Sequence, residues 1–289
     1  MFTVTLPRDR SLVLGHRTLV MGIINCTPDS FLASSRVASI EQATSAARAM
    51  IDAGADILDI GGESSRPGSD YVSAELEIER VVPMISAIRE FSAIPISVDT
   101  RKQAVAAAAV EAGADIINDI SALRDDPELA GFAASHGLPV ILMHMRGTPR
   151  TMQHKPHYDD VTGEISCELL DFAAEVQRAG VARSQIILDP GIGFGKRLQD
   201  NVAILCGIAE LSRRLGYPLL IGASRKSFIG SLLGGDSPRA PQQRLAGSLA
   251  VHLLAAQAGA HILRVHDVAE TVDALRVLSA VSGTKAAAL

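Results

Sequence analysis

Short apolar runs recur along the chain, and each is followed by a polar or glycine-rich segment and then by a helical pattern. Almost every position inside these runs is apolar, which is typical of strands in a parallel sheet that is buried on both faces. The eight runs are residues 19–24, 56–60, 94–98, 115–120, 139–145, 185–188, 218–222 and 261–265. The pattern therefore predicts eight parallel strands.

Helical segments separate these runs. Ser39 with Gln42 and Thr100 with Gln103 resemble capping boxes, so helices are expected to begin there. Three segments with the sequence Ala-Gly-Ala are typical of a helix end that leads into a strand, and they lie at 53–55, 112–114 and 258–260. Strands that alternate with helices in this way pair in parallel through right-handed crossovers.

The closed arrangement of these elements is a (β/α)8 TIM barrel, expected to form one domain over residues 1–289. An open doubly wound sheet is the alternative arrangement of the same elements. Residues 3–6 and 11–14 precede the first predicted barrel strand. They are expected to pair as a short N-terminal hairpin that plugs the bottom of the barrel.

Composition excludes several classes of protein. Apolar residues make up 47% of the chain and charged residues 20%, which excludes a disordered or fibrous protein. The net charge is -5, so a broad basic face for nucleic acid is not expected, although a local anion pocket remains compatible with it. The most apolar stretch, 245–263, is interrupted by polar residues and is expected to be a buried helix and strand rather than a membrane span.

The cysteines and the first residues bear on where the protein works. The three cysteines form neither an even set nor a CxxC pair, so we expect no disulfide framework and no zinc site. Residues 1–20 carry several charges and no apolar core of a signal peptide. A cytoplasmic protein is the expectation.

Polar side chains occur at the end of every predicted strand, where the active site of a barrel lies. Carboxylates and an amide are offered by Asp59, Asp99, Asn118, Asp119 and Asp189, and cations by Arg66, Lys226, Arg264 and His266. Acids and bases that converge at one end of a barrel are costly unless a ligand or mutual pairing satisfies them. The strand ends together indicate a small, polar, partly anionic ligand.

These same strand ends carry a family resemblance. Residues 21–31, 61–68, 98–100, 117–119, 189–196, 224–227 and 264–267 resemble, in order, the motifs of the dihydropteroate synthase family. The resemblance covers nearly the whole chain. It implies a transferase of folate biosynthesis in which 4-aminobenzoate displaces diphosphate from 6-hydroxymethyl-7,8-dihydropterin diphosphate, with Mg²⁺ accompanying the diphosphate.

The pterin site is expected to be formed by five side chains. A pterin presents a guanidine-like edge whose N–H donors form a fork, and a buried carboxylate matches that fork with two charge-assisted hydrogen bonds. Asp189 is the best candidate for this carboxylate. The resemblance implies that Asp99 and Asn118 hold the remaining ring atoms, that Met143 packs on the ring face and that Lys226 meets a carbonyl or ring nitrogen. Lys226, Arg264 and Asp99 are the expected catalytic residues.

The resemblance also implies sites for the other reactants. The diphosphate is assigned to Asn25, Arg66, Arg264 and His266, with the Asn25 amide as the protein ligand of Mg²⁺. The aminobenzoate is assigned to Phe31, Ser65, Pro67 and Ser227. A homodimer is expected from the family, with the apolar segment 244–258 as its contact face.

Two positions depart from the family pattern. The first loop reads Leu-Ala-Ser-Ser-Arg at 32–36, where the family commonly has Ser-Asp-Gly-Gly, and Ser65 stands where threonine is usual. Two other functions therefore stay open: a methyltetrahydrofolate–corrinoid methyltransferase and a noncatalytic pterin-binding barrel. Tight binding of diphosphate with Mg²⁺ distinguishes the synthase from the methyltransferase, and release of diphosphate distinguishes it from the noncatalytic barrel.

Overall fold

The computed structural model describes residues 1–26 and 36–282, with only the helical backbone at 36–39. An antiparallel hairpin comes first, formed by β1 (Phe2–Leu6) and β2 (Arg10–Leu14). The next eight strands are β3 (Leu19–Asn25), β4 (Ile57–Gly61), β5 (Ile96–Asp99), β6 (Ile116–Asp119), β7 (Val140–Met143), β8 (Ile186–Asp189), β9 (Leu220–Ile221) and β10 (Ile262–Val265). Each falls within or beside one of the eight predicted runs.

Helices follow the strands around the sheet. They are α1 (Arg36–Asp52), α2 (Ala74–Arg89), α3 (Gln103–Glu111), α4 (Leu129–Ser135), α5 (Val161–Arg178), α6 (Leu198–Cys206), α7 (Ile208–Leu215), α8 (Ser227–Gly234), α9 (Leu245–Gln257) and α10 (Val268–Ser282). The described residues include no helix long and apolar enough to cross a membrane.

The eight strands form one parallel sheet in the order β8-β7-β6-β5-β4-β3-β10-β9. A parallel bridge between Leu188 and Leu219 joins the two edges of this sheet and closes the ring. The closed ring is the predicted TIM barrel and excludes the open doubly wound sheet.

The N-terminal hairpin plugs the barrel, as predicted. Its buried residues Val4, Leu6, Leu12 and Leu14 pack against one apolar layer inside the barrel. That layer comprises Leu19, Met21, Ile57, Ile116, Ile141, Ile187, Leu220 and Ile262. The hairpin thus replaces solvent at the bottom of the barrel with apolar side chains.

A buried carboxylate fastens the hairpin to the barrel. Asp115, at the start of β6, is completely buried. It forms ion pairs with Arg8 and Arg10 of the hairpin and with Arg89 at the end of α2 (2.6 Å). Its second oxygen also accepts a hydrogen bond from the Ile96 backbone N–H (2.9 Å). These partners offset the cost of burying the charge.

Helix ends agree with the sequence better than helix starts do. The helices α1, α3 and α9 all end just before the predicted glycines, Gly54, Gly113 and Gly259. The predicted starts are wrong: α1 begins at Arg36, before Ser39, and α3 begins at Gln103, whose N–H donates to Asp126 (2.8 Å) rather than to Thr100. The Thr100 hydroxyl instead accepts a hydrogen bond from the Lys102 N–H (3.3 Å), within the turn that precedes α3.

Candidate active site

A polar layer lies inside the barrel directly above the apolar one. Side chains of a strand alternate between its two faces, so the residue two positions after each inward-facing apolar residue also faces inward. These positions are Asp59, Asn118, Met143, Asp189 and Arg264, and Asp99 holds the equivalent place on β5, next to Asn118 in the sheet register. Six strands thereby contribute polar or sulfur-containing side chains to one end of the barrel.

Arg264 connects three of these strands. Its Nε donates to Asp59 (2.6 Å) and its Nη2 donates to Asp99 (2.7 Å). The Asn118 amide donates to both oxygens of Asp59 (3.3 Å). Burial raises the pKa of Asp99, and the Arg264 guanidinium counteracts that shift. The guanidinium nitrogen Nη1 takes no part in these bonds.

Asp189 faces the same interior space from β8. Its Oδ1 accepts a hydrogen bond from the Gly191 N–H (2.7 Å). A Cβ on Gly222 would lie 3.8 Å from Asp189 Oδ2 and 3.9 Å from Arg264 Cβ, so this glycine leaves room between the two side chains. Burial raises the pKa of Asp189 to about 6, although the Gly191 N–H and the charges of Lys226 and Arg264 counteract it.

Lys226 reaches the site from the turn before α8. This turn includes Arg225, whose φ of 56° is uncommon for a residue other than glycine. Arg225 is held there by an ion pair with Asp267 and by a hydrogen bond from its N–H to Ser248 (3.0 Å). The Lys226 ammonium lies 3.8 Å from the centroid of the Phe194 ring. Burial, reinforced by Arg264, lowers the pKa of Lys226 to about 7.

His266 differs from its predicted charge state. Its Nδ1 lies 3.0 Å from the Ser224 hydroxyl, which also accepts the His266 backbone N–H. Burial, together with Arg264, lowers the pKa of His266 to about 4. Without a bound anion, partial burial beside two arginines therefore favours the neutral imidazole over the predicted cation.

The residues predicted around the aminobenzoate are only partly brought together. Ser65 lines a cleft with Asp99, and the other residues of this cleft are Glu63, Ser64, Thr100, Arg101 and Ile120. Pro67 is exposed on the loop after β4, and Ser227 is exposed at the first position of α8. Phe31 and residues 32–35 lie outside the described residues, and so does the side chain of Arg36.

Two predicted diphosphate ligands lie at the mouth of the barrel. Asn25 is half-buried at the last position of β3, opposite Gly61 of β4. Arg66 is exposed on the loop after β4, where its backbone N–H donates to Ser64 (3.4 Å). The hydrogen bonds of the described residues connect neither of them to the Arg264 network.

The roles of three residues were missed in the sequence or assigned only in part. Asp59, named only as one of many polar strand ends, is fully buried and accepts the Arg264 and Asn118 bonds. Ser224 supports His266, and Lys196 binds the buried His144. Asp59 had a detectable signal, because an acid in the middle of an apolar strand needs a partner.

Asp119, which was predicted among the polar strand ends, is directed away from this site. Its side chain accepts a hydrogen bond from the Ser121 N–H of the loop that follows (2.6 Å).

Most of the chain is similar in sequence to proteins of one enzyme family. Residues 21–266 match the model of the pterin binding enzyme family. The dihydropteroate synthase of Escherichia coli K12 is 48% identical over 275 residues, which span 95% of this chain and 95% of that protein.

Solved structures share the fold of this chain at a similar level of sequence identity. A dihydropteroate synthase of Xanthomonas albilineans with 4-aminobenzoic acid is 47% identical, has a TM-score of 0.86, and covers 95% of this chain and 96% of its own. The enzyme from the same organism in complex with 7,8-dihydropteroate is 45% identical, with a TM-score of 0.83 and coverage of 94% and 96%.

Proposed function

The chain belongs to the dihydropteroate synthases, within the pterin-binding enzyme family, and we propose that it joins 4-aminobenzoate to the pterin of 6-hydroxymethyl-7,8-dihydropterin diphosphate. The products are 7,8-dihydropteroate and diphosphate. The aniline nitrogen forms a bond to the pterin methylene carbon, the bond from that carbon to the diphosphate oxygen breaks, and the amine loses a proton to solvent.

One observation carries this proposal. Carboxylates and an amide from separate strands, namely Asp99, Asn118 and Asp189, face a common interior space beside the basic side chains of Lys226 and Arg264. A flat heterocycle with several N–H donors requires acceptors on several sides. A departing anion requires cations beside them. This end of the barrel supplies both.

The pterin is bound mainly by acceptors. Asp189 accepts the fork of donors at the guanidine-like edge, because its Oδ2 is free of the Gly191 bond. Asp99 and Asn118 bind the remaining ring atoms, and Lys226 donates to a carbonyl or ring nitrogen. Met143 packs on the ring face from a cluster that also contains Phe194.

The diphosphate is bound by Arg264, Arg66, Asn25 and His266. Asn25 also fits Mg²⁺ by its donor chemistry, because this ion prefers oxygen ligands and takes few of them from the protein when phosphates complete its shell. When bound, the ion neutralises charge on the leaving group. Removal of Mg²⁺ with a chelator is expected to stop the reaction, and Asn25→Ala to raise the Mg²⁺ concentration needed for half-maximal rate.

The bond to the diphosphate breaks before the aminobenzoate attacks, because the electron-rich dihydropterin stabilises the cation at its methylene. The aminobenzoate is assigned to Ser65, Pro67 and Ser227, together with Phe31, which lies outside the described residues. Oxygen-18 placed in the oxygen that joins the methylene carbon to the diphosphate tests this order. Scrambling into nonbridging positions in the absence of aminobenzoate supports it, and retention of the label in recovered substrate indicates concerted displacement instead.

The decisive experiment mixes the purified chain with both substrates and Mg²⁺ and measures dihydropteroate. Formation of product, with Lys226→Ala much slower, is expected. Binding of pterin without release of diphosphate would identify a noncatalytic barrel. Failure to bind diphosphate, with methyl transfer from methyltetrahydrofolate to a corrinoid protein, would identify the methyltransferase.

We further propose that the protein is a single domain, that it is cytoplasmic and that it forms a homodimer. Exposed apolar side chains on three neighbouring helices, α8, α9 and α10, support the dimer. They are Leu232, Leu233, Leu254, Val277 and Val281. The predicted contact segment 244–258 contributes Leu254, which is 64% exposed in the single chain.

A further inference from the structure

A buried lysine beside the active site is not used in the proposed reaction. Lys196 is only 4% exposed, and its ammonium donates to His144 Nδ1 (3.0 Å), to the His144 carbonyl (3.3 Å) and to the Phe194 carbonyl (2.9 Å). An ammonium has three N–H donors, so these acceptors use its full capacity. The lysine that ends this glycine-rich segment is therefore occupied by protein groups and does not point to a phosphate.

The histidine acceptor is itself fixed from the other side. Because His144 Nδ1 accepts from Lys196, the ring proton lies on Nε2, which donates to Glu168 Oε2 (3.0 Å). The other Glu168 oxygen accepts from Arg146 Nε (2.9 Å). Burial lowers the pKa of His144 to about 4, which agrees with a neutral ring. A chain of hydrogen bonds thus anchors the Lys196 ammonium to β7 and α5.

The Phe194 peptide is the part of the loop that this anchor holds. Phe194 lies between Gly193 (φ 82°) and Gly195 (φ 59°), two residues that leave the backbone free to turn in several directions. Hydrogen bonds to the carbonyls of three successive residues fix one direction for this backbone turn. Gln153 donates to Gly193 (3.0 Å), Lys196 to Phe194, and the Tyr158 hydroxyl to Gly195 (3.0 Å).

The selected direction places the Phe194 ring on Lys226. The ring is 7% exposed, and the Lys226 ammonium lies 3.8 Å from its centroid. A ring face attracts a cation, most strongly where both are removed from water. The Phe194 ring therefore keeps the Lys226 ammonium in one place within the active site.

We propose that Lys196 is a positioning residue for the reaction, because its ammonium holds the Phe194 peptide so that the ring orients Lys226. The inference about the reaction rests on the proposed function, in which Lys226 contacts the pterin. The inference that Lys196 positions the Phe194 ring does not depend on the reaction, and a separate measurement tests it.

Fluorine NMR provides that readout without any substrate. The chain has seven phenylalanines, so protein labelled with 4-fluorophenylalanine gives seven resonances, and loss of one signal in Phe194→Leu assigns Phe194. Lys196→Met and Lys226→Met are each expected to move this resonance by more than its linewidth. Lys155→Met, which removes an exposed lysine on the loop before α5, is the matched control and is expected to leave it in place.

Steady-state kinetics test the route from Lys196 to Lys226. Lys196→Met is expected to lower kcat/KM for the pterin substrate about 10- to 100-fold, since small misplacements of active-site groups have effects of this size. If Lys196 acts through Phe194, the double variant K196M/F194L is no slower than F194L alone. Effects of the two substitutions that multiply would overturn the route.

Failure of the inference and failure of the function are distinguishable. An unchanged Phe194 resonance in folded Lys196→Met overturns the inference whatever the activity. A shifted resonance in a chain that forms no dihydropteroate leaves the ring placement standing and overturns the function. If Lys196→Met does not fold, Lys196→Gln retains N–H donors on a shorter side chain and is expected to move the same resonance, and an unmoved signal there also overturns the inference.

Discussion

The proposed role of Asp189 in pterin binding requires a carboxylate, so protonation of Asp189 should weaken binding. Burial raises its pKa to about 6, so the charged form is present above that pH and is lost as the pH falls through it. A hydrogen bond to a charged group is worth about 1.5–3 kcal/mol, so Asp189→Asn is expected to weaken binding of a dihydropterin ~10- to 100-fold at pH 8.

The pH dependence provides the control for this prediction. Dissociation constants measured from pH 5 to pH 8 should rise on acidification, and the rise should be smaller in Asp189→Asn. That variant retains Lys226 and Asp99, which titrate in the same range, so the difference between the two curves isolates Asp189. Asp171→Asn, on the exposed side of α5, should bind like the unmodified chain. Equal affinity of Asp189→Asn at pH 8 would remove Asp189 from the pterin site.

The packing of α9 on α10 creates a pH-sensitive element away from the active site. His252 on α9 is buried, with its Nδ1 3.4 Å from the Thr271 hydroxyl of α10 and its Nε2 without a partner among the described residues. Burial lowers its pKa to about 4, whereas an unfolded histidine has a pKa near 6.5. The unfolded chain therefore binds the proton more tightly, and stability is lost as the pH falls from about 6.5 towards 4.

At pH 5 the loss attributable to His252 is about 2 kcal/mol, from 1.36 kcal/mol for each pKa unit. His252→Leu should reduce the difference in unfolding free energy between pH 8 and pH 5 by about this amount. Urea unfolding at both pH values measures it. His154→Leu, on an exposed loop, should leave the difference unchanged. The same difference in His252→Leu as in the unmodified chain would contradict the assignment.

The hairpin is an element whose contribution to stability is separate from catalysis. Leu14 is fully buried against the apolar layer of the barrel, whereas its neighbour Val13 is 44% exposed. Leu14→Ala should lower the free energy of unfolding by about 2–5 kcal/mol, because it leaves a cavity.

Val13→Ala should change stability much less, by up to about 0.5 kcal/mol. The folded Leu14→Ala variant should retain the kcat/KM of the unmodified chain, since the polar layer lies above the apolar one. Urea unfolding and the dihydropteroate assay at 25 °C make both comparisons. A large loss of kcat/KM would show that the bottom of the barrel does influence the site.

On the scale of the whole molecule, periodicity predicted the barrel and most of its polar end. The pattern repeats in several strands as an apolar residue followed two positions later by a polar one, as in Ile57 and Asp59, Ile116 and Asn118, or Ile187 and Asp189. This spacing stacks two interior layers because alternate residues of a strand face the same side, whereas the barrel itself was predicted from the continuous apolar character of the runs.

Other features depend on contacts between distant segments, which a single sequence does not display. The three bonds of Lys196 join residues that are up to 52 positions apart. The lowered pKa of His266 follows from partial burial beside Arg264 and Arg225. The start of α3 differs from the prediction because Thr100 bonds within its own turn, while the distant Asp126 accepts the hydrogen bond of the Gln103 N–H (2.8 Å).

The exposed apolar side chains of α8, α9 and α10 make the oligomeric state a property of the whole molecule. Leu254 is 64% exposed on α9, the helix that contacts both α8 and α10, and burying such a side chain fully is worth about 1.5–3 kcal/mol. A second copy of the chain would cover it, whereas a glutamate at this position would place two buried charges in the interface. Leu254→Glu should therefore convert a dimer into a monomer of normal secondary structure.

Leu198→Glu is the matched control, because Leu198 is 44% exposed on α6 and lies outside these three helices. Light scattering after size-exclusion chromatography, over a range of protein concentrations, measures both variants. The control should keep the mass of the unmodified dimer. An unmodified chain that is monomeric at all concentrations, or a Leu254→Glu variant that remains dimeric, would show that this apolar face is not the contact between copies.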